Sequence, residues 1–400
     1  MTGVVRPIAA GWVVTGAVPG PDVDEFAEAD QVVAALAGPA AAGDTLLAVQ
    51  HPHRTPAALA GRLSVTDALP AARRMLDRLV VSAYRQVDGV VAPYRVSGPD
   101  GTAVGVLCLA DPAAVDAAGQ ARVRHSEQVY PKVAAERAAV LSGLGLATSA
   151  AMLVPVSAAD DLTPATERTI GTLGDPSVRT TDSGGRVHEL WLLGSGPDQD
   201  ALLAVAGRHP LLVADGNHRV AAAAASDPSG LLALVTGGPD LRIGAIHRVL
   251  AGTGLTADAL VAAWRSVGLS VTEDIVQTPV TPGIVVALAG DRALRVTLPP
   301  PAEPLPRIDH AVVEHLLIQQ ALGVDPAGPL VRALPANRPL PADADAVLLL
   351  APVPFPDVLA VHDQGRRMPR KSTYFTPKPR SGLLLAGLHW PPGRMSRRSS

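Results

Sequence analysis

The apolar positions of this chain change period repeatedly, from the 3.6 of an amphipathic helix to the alternation or unbroken run of a strand. ALPAARRMLDRLVVSAY puts Leu69, Ala72, Met75, Leu76 and Leu79 on one stripe and leaves Arg73, Arg74 and Asp77 off it, which predicts a helix. GVVAPYRVSGPDGTAVGVLCLA then reads as two strands joined by a Gly-Pro-Asp-Gly turn. PKVAAERAAVLSGLG, DQDALLAVAG and TADALVAAWRSVG predict helices, and ADQVVAALAG a short one. AAMLVPVS, LLALVTG and LRIGAIHRVL predict strands, as does TLLAVQHPH, whose run ends in a His-Pro turn. DDLTPATERTIGTLGDPSVRTTDSGGRVHELWLLGS reads as a helix followed by a hairpin turning at Asp182-Ser183-Gly184-Gly185.

Clustered prolines in LPPPAEPLPR, residues 298–307, can sustain neither a ladder nor a helix interior and mark a joint. Beyond it, IDHAVVEHLLIQQALGV reads as a helix, ADAVLLLAPV as a strand and DVLAVHDQGRR as a helix. The alternation predicts an α/β (α+β) protein with mixed sheets and flanking helices. Its expected divisions are an N-terminal α/β region 1–155, a core 156–298, a C-terminal α/β region 299–388 and a disordered basic tail 389–400.

Length and composition narrow this picture. A chain of 400 residues is long enough for about two to three compact units. With 48% hydrophobic but only 3% aromatic residues, its cores must be built from small side chains. The net charge of -3 supplies no global basic field, which argues against nucleic acid as a partner. A single cysteine, Cys108, excludes an internal disulfide framework, and its flanks VGVL and LA suggest a buried strand position. The start MTGVVRPIAAGW lacks a signal pattern, and no apolar run reaches spanning length, so a cytoplasmic protein without a membrane partner is expected.

Three stretches concentrate chemistry. In LLVADGNHRVAAA, Gly216 sits where a strand turns into a helix, so that free N–H groups at the helix start can face an anion. Arg219 can add a forked pair of donors. His218 can donate to a phosphate or handle a proton, and Asp215 can hold a metal ion or orient that imidazole. The alternative is an Asp-Gly turn with an ordinary helix cap. In GRRMPRKSTYFTPKPRSG, residues Lys371, Ser372, Thr373 and Lys378 make a cationic, hydroxyl-bearing loop that can clamp a phosphate or be a solvated basic loop; the upstream glycines of a P-loop are missing. In VRHSEQVYPK, Glu127 can act as general base or metal ligand, or simply cap a turn. In AIHRVL, alternation along a strand allows only one of His247 and Arg248 to face a pocket. His51 and His53 form a histidine pair for which no third metal ligand can be assigned.

ADGNHR, LRIGAIHRVL and MPRKSTYFTPK followed by SGL, in this order, resemble a widespread bacterial and archaeal family of unknown function. That family belongs to the ParB/sulfiredoxin-like fold superfamily, and its own forms are close to ADGHHR and MPxKSTYFxPK. The resemblance implies a ParB-like nucleotide-binding core, with additions at both ends, in which the Asp-Gly-x-His-Arg turn holds a nucleotide or phosphate. It marks Asp215, Gly216, His218 and Arg219, and Lys371, Ser372 and Thr373 as a second signature. Departures from the family pattern are Asn217 for a histidine, Ser126 for a histidine before Glu127, Val129 for a threonine, and Pro21 where a tyrosine precedes Asp22.

Since relatives include free-serine kinases, the leading expectation is an ATP- or ADP-dependent phosphotransferase acting on a small hydroxylated metabolite such as serine. In it, Gly216, Asn217, Arg219, His247, Lys371, Ser372 and Thr373 hold the nucleotide, and Asp215 places Mg²⁺ or the imidazole of His218. Glu127 or Asp22 takes the acceptor proton. Mg²⁺ follows from the chemistry. A nucleotide-binding regulator without turnover is the alternative, and a DNA-acting ParB-like protein a weaker one. The sequence leaves the acceptor and the oligomeric state open.

Overall fold

A computed structural model of the chain describes residues 3–25, 29–157, 160–226, 230–300, 306 and 308–388. Helices and strands alternate along it, in the mixed α/β class that the changing hydrophobic period predicts. The basic tail 389–400 and most of the proline joint at 298–307 lie outside the described residues.

The chain divides into two compact units, and both are discontinuous. The first comprises residues 1–125, 129–241 and 377–400, the second residues 126–128 and 242–376. The divisions expected after residues 155 and 298 therefore fall inside units. Strand pairing is the physical reason: it joins segments far apart in sequence, and no local change of composition records it.

The first unit contains two sheets. The larger runs in the order 123–125, 211–215, 151–155, 231–240, 101–110, 92–98, 187–190, 178–181, with the short strand Val5–Arg6 paired to 101–110. Strand Leu211–Asp215 lies parallel to Val123–His125 and antiparallel to Ala151–Pro155. Its first four residues are buried, as a strand covered on both faces requires. The second sheet has the order 84–90, 8–14, 384–387, 146–147. The predicted hairpin closes at Gly98 and Gly101. Cys108 is buried in the strand Gly101–Ala110, and burial pushes its thiol up to about 12, which suits a packing role.

One expected strand is a helix. Leu46–Gln50 follows Thr45, whose side chain accepts the Ala48 N–H at 3.2 Å, and Leu46, Leu47, Ala48 and Val49 are all buried. A short run buried on every side has no period to display, so the cap and not the apolar pattern selects the helix. Replacing Thr45 by alanine is expected to lower stability by about 1 kcal/mol in urea unfolding.

The second unit is built on a sheet of order 270–273, 292–297, 284–289, 344–350, 246–251, 331–335. The helix Ala257–Ser266 and the helical segment from Asp309 to Gln320 supply Leu260, Trp264, Val313 and Leu317 to its core. A two-stranded ribbon pairs Arg242–Gly244 with Tyr374–Thr376. Among the described residues no helix is long and apolar enough to cross a membrane.

Candidate functional site

In the first unit the strand Leu211–Asp215 hands over to the helix Asn217–Ala224 through a single residue, Gly216, at φ +95°. That left-handed conformation is open to glycine and costly for a side chain. Space imposes the same choice, because a Cβ on Gly216 would lie 2.8 Å from Arg219 Nε and 3.1 Å from Ala151 Cβ. Glycine at the N-cap position brings no side chain of its own to the first turn, whose amides lie along the helix dipole. This is the geometry in which backbone donors and the helix dipole favour an anion.

Around the turn the charges are already arranged. Arg219 donates through Nη2 to Asp215 Oδ2 and through Nη1 to the Ala150 carbonyl. Lys378 Nζ stands 2.5 Å from Asp215 Oδ1. Two cations thus hold the two oxygens of one partly exposed carboxylate. His218 Nε2 accepts the Tyr130 N–H at 2.9 Å, and the two rings stack with centroids 5.7 Å apart. Accepting at Nε2 leaves the imidazole neutral with its proton on Nδ1, so this histidine is set to donate from Nδ1. Asn217 is buried, and its Oδ1 lies 3.1 Å from His125 Nδ1. Asn217 is therefore part of a hydrogen-bonded pair.

Asp22 also belongs to the first unit. It forms an ion pair with Arg380 at 3.2 Å, both side chains being largely buried. Ser381 donates from N and Oγ to Asp24, each at 2.7 Å, and Arg380 N–H donates to Tyr94 Oη at 3.1 Å. Asp22 thus helps anchor the segment that carries Lys378, an engagement that does not leave it placed as a proton acceptor.

The segment with Lys371, Ser372 and Thr373 is organised in the second unit. Glu127 Oε1 accepts from Ser372 N at 3.1 Å, Thr373 N at 2.9 Å and Thr373 Oγ1 at 2.6 Å, while Oε2 accepts from Lys371 N at 3.0 Å. Three successive amides and a hydroxyl form a nest, and a carboxylate of the chain fills it. Ser372 is fully buried and donates to the Pro369 carbonyl at 2.7 Å. Both hydroxyls of Lys-Ser-Thr are therefore spent internally. Lys371 sits at φ +52°. Below the loop, Arg248 pairs with Glu314 at 2.7 Å and donates to the carbonyls of Lys371 at 3.0 Å and Arg370 at 3.1 Å. Glu127 is a loop anchor, where a general base was expected.

His247 is likewise corrected. It is buried in the strand Ile246–Ala251, and its Nδ1 accepts the Leu350 N–H at 3.2 Å. Burial, and then the charge of Arg248, pushes its pKa down to about 4 from an ordinary 6.5. It is a core residue in place of a nucleotide ligand; of the pair, Arg248 is the one that reaches the loop. The unfolded chain binds this proton more readily, so His247 contributes stability above pH 6.5 that is lost as pH falls towards 4. His310 and His51, both pushed to about 3 mainly by burial, act in the same direction. In urea unfolding at pH 7 and pH 4.5, His247→Gln is expected to lose about 2 kcal/mol less than the parent chain over that interval. An identical loss in both proteins would contradict the assignment.

The structure thus gathers Asp215, Gly216, Asn217, His218 and Arg219 in the first unit, and Glu127 with Lys371, Ser372 and Thr373 in the second. Asp22 and His247 serve packing and anchoring. Reasoning from the sequence overlooked Lys378 as a partner of Asp215, and His125 and Tyr130 as partners of Asn217 and His218. The only signal for Lys378 was its place in the basic segment after Thr373. Among the described residues no three His, Cys, Asp or Glu side chains converge as a metal-holding group.

Comparison with known proteins adds a family. The sequence model of a protein family of unknown function, DUF1015, matches residues 91–316. No curated protein matches. Similar solved structures include a C-terminally truncated SbnI from Staphylococcus aureus, at 12% identity and a TM-score of 0.40, covering 70% of this chain and 87% of that one. They also include a free serine kinase in complex with AMP, at 12% identity and a TM-score of 0.37 with 69% and 92% covered. A conserved hypothetical protein from Pyrococcus furiosus follows at 11% identity and a TM-score of 0.36, with 69% and 95% covered.

Proposed function

The chain is a member of the DUF1015 family, and from that premise we propose that it binds the phosphate chain of a nucleotide, ATP or ADP, at residues 215–219. One observation carries this reading: a helix start behind a left-handed glycine, with Arg219 and Lys378 both converging on Asp215. A phosphate placed at the helix start competes with Asp215 for those two cations. Arg219 offers it a planar fork and Lys378 a point charge, while the amides of the first turn donate along the dipole. His218, with its proton on Nδ1, adds a neutral donor.

Turnover is a separate matter. The carboxylates expected in the catalytic shell are all engaged: Glu127, a candidate for the acceptor proton, by the amides 371–373, Asp22, the other candidate, by Arg380, and Asp215 by two cations. This favours a nucleotide-binding regulatory protein over an enzyme. The kinase reading draws on one feature. When a phosphate takes over Arg219 and Lys378, the carboxylate of Asp215 is released beside the bound group, where it can accept a proton from the hydroxyl of a small metabolite such as serine. The likeness of ADGNHR and MPRKSTYFTPK to the forms of a family whose wider superfamily includes free-serine kinases supports that reading too. The residues at the turn do not fit a resident Mg²⁺, since the oxygens of Asp215 are held by cations and no group of three ligands converges among the described residues.

Calorimetric titration with ADP, ATP and adenosine tests the binding. ADP and ATP are expected to bind at least about tenfold more tightly than adenosine, and Arg219→Gln or Lys378→Gln to remove most of that preference. Equal affinity for adenosine and ADP would leave the reading without a basis. Product formed from ATP with a panel of hydroxylated metabolites, over hours, selects the kinase; binding without product selects the regulator.

A further inference from the structure

Within the first unit, a cavity opens between the helix Pro131–Leu144, the helix Asn217–Ala224 and the start of the strand Leu231–Asp240. Its walls are mostly apolar, with Val140, Leu141, Leu144 and Leu232 among them, yet two arginines, Arg137 and Arg219, also line it. Gln50 and Thr148 complete the polar part, with Gln50 Nε2 donating to Thr148 Oγ1 at 2.8 Å. Arg219 and Ala222 are three residues apart and so lie on one face of their helix.

Charge is unbalanced here. Arg219 and Lys378 share the one carboxylate of Asp215, whereas no hydrogen bond or ion pair among the described residues holds the Arg137 guanidinium. Burial, followed by the charge of Arg219, works against the charged form of Arg137, and Asp215 and Glu136 offset only part of this. Two cations across an apolar cavity repel each other, and water in such a space solvates them poorly. An anion between them relieves both costs, and an aliphatic body attached to it covers the leucine and valine wall.

We propose that this cavity is a second ligand site, for a small organic carboxylate with a branched aliphatic body, whose carboxylate is received by Arg137 and Arg219. A planar carboxylate accepts two parallel bonds from a guanidinium. The cavity is lined by the second turn of the helix as well as by Arg219, and by none of Gly216, Asn217 or His218, so its ligand is distinct from a phosphate at the helix start. Arg219 is common to both sites, so the proposal is told apart from nucleotide binding by Arg137 and the apolar wall.

The test uses the whole chain, 4-methylpentanoate as probe and its neutral amide as control, read by calorimetry and by methyl shifts of the cavity leucines. The acid is expected to bind at least about tenfold more tightly than the amide. Arg137→Gln is expected to bring the two within about threefold of each other at an unfolding temperature no lower than the parent's, because it removes a buried charge that makes no hydrogen bond or ion pair among the described residues. Inorganic phosphate, lacking the aliphatic body, is expected to leave those methyl resonances in place. The proposal is overturned by equal binding of acid and amide, by an unchanged acid affinity in Arg137→Gln, or by no binding of the acid up to about 10 mM. ADP titrated in parallel separates the two sites, since loss of ADP binding with retained acid binding strikes only the nucleotide reading.

Discussion

Replacing Gly216 by alanine is expected to weaken ADP or ATP binding at least about tenfold and to lower the unfolding free energy by about 1–3 kcal/mol. Two independent costs meet at this residue. Its φ of +95° lies in the left-handed region, and an added Cβ would stand 2.8 Å from Arg219 Nε and 3.2 Å from Arg219 Cζ. The methyl group must push the guanidinium off Asp215 or tilt the first turn, and either movement spoils the donors that the phosphate needs. Gly171 provides the control. It lies inside the helix Leu162–Leu173 with nothing within 4 Å of its would-be Cβ, so Gly171→Ala is expected to leave binding unchanged and to raise stability by about 0.5–1 kcal/mol. Calorimetry and urea unfolding of the two variants read both effects. If Gly216→Ala behaves like Gly171→Ala, the account of the turn is wrong.

Removing the Glu127 carboxylate is expected to cost more stability than any other single change discussed. Glu127→Ala takes away four hydrogen bonds at once and leaves the amides of Lys371, Ser372 and Thr373 without their acceptor. Bonds to a charged acceptor are worth about 1.5–3 kcal/mol each before solvent replaces some of them, and water can reach this partly exposed loop. The net expectation is a loss of about 2–4 kcal/mol. Glu127→Gln divides the effect. Its carbonyl can keep the three bonds made at Oε1, but its amide nitrogen then faces the Lys371 N–H, donor against donor. About half the stability is therefore recovered. Hydrogen exchange should show amides 371–373 losing protection in the alanine variant, and Lys371 alone in the glutamine variant. Full protection in both would show that the loop holds its shape without Glu127.

Much of the fold was legible along the chain. The helix Val65–Ala83 was announced by its apolar stripe, and the hairpin closing at Gly98 and Gly101 by its Gly-Pro-Asp-Gly turn. These elements follow local rules, because period, caps and turn residues act within a few positions. Leu46–Gln50 was misread for the complementary reason: a run buried on all sides carries no period. The boundaries of the two units were not legible, since residues 126–128 join the second unit while both flanking segments belong to the first.

At the candidate site the same line divides what was visible. Sequence by itself determined that Gly216 forms the turn, that Asp215, His218 and Arg219 cluster around it, and that a basic hydroxyl-bearing segment lies far down the chain. Those conclusions needed only neighbouring residues. Tertiary structure decided the partners: Lys378 on Asp215, Tyr130 on His218, His125 on Asn217, and Glu127 on the loop that begins at Lys371. It also decided surroundings, burying His247 against the Leu350 amide and setting Glu127 on the amides of the loop. A side chain's chemistry depends on what it touches and how far it is taken out of water, and pairing across 88 to 246 residues settles both where no local pattern reaches.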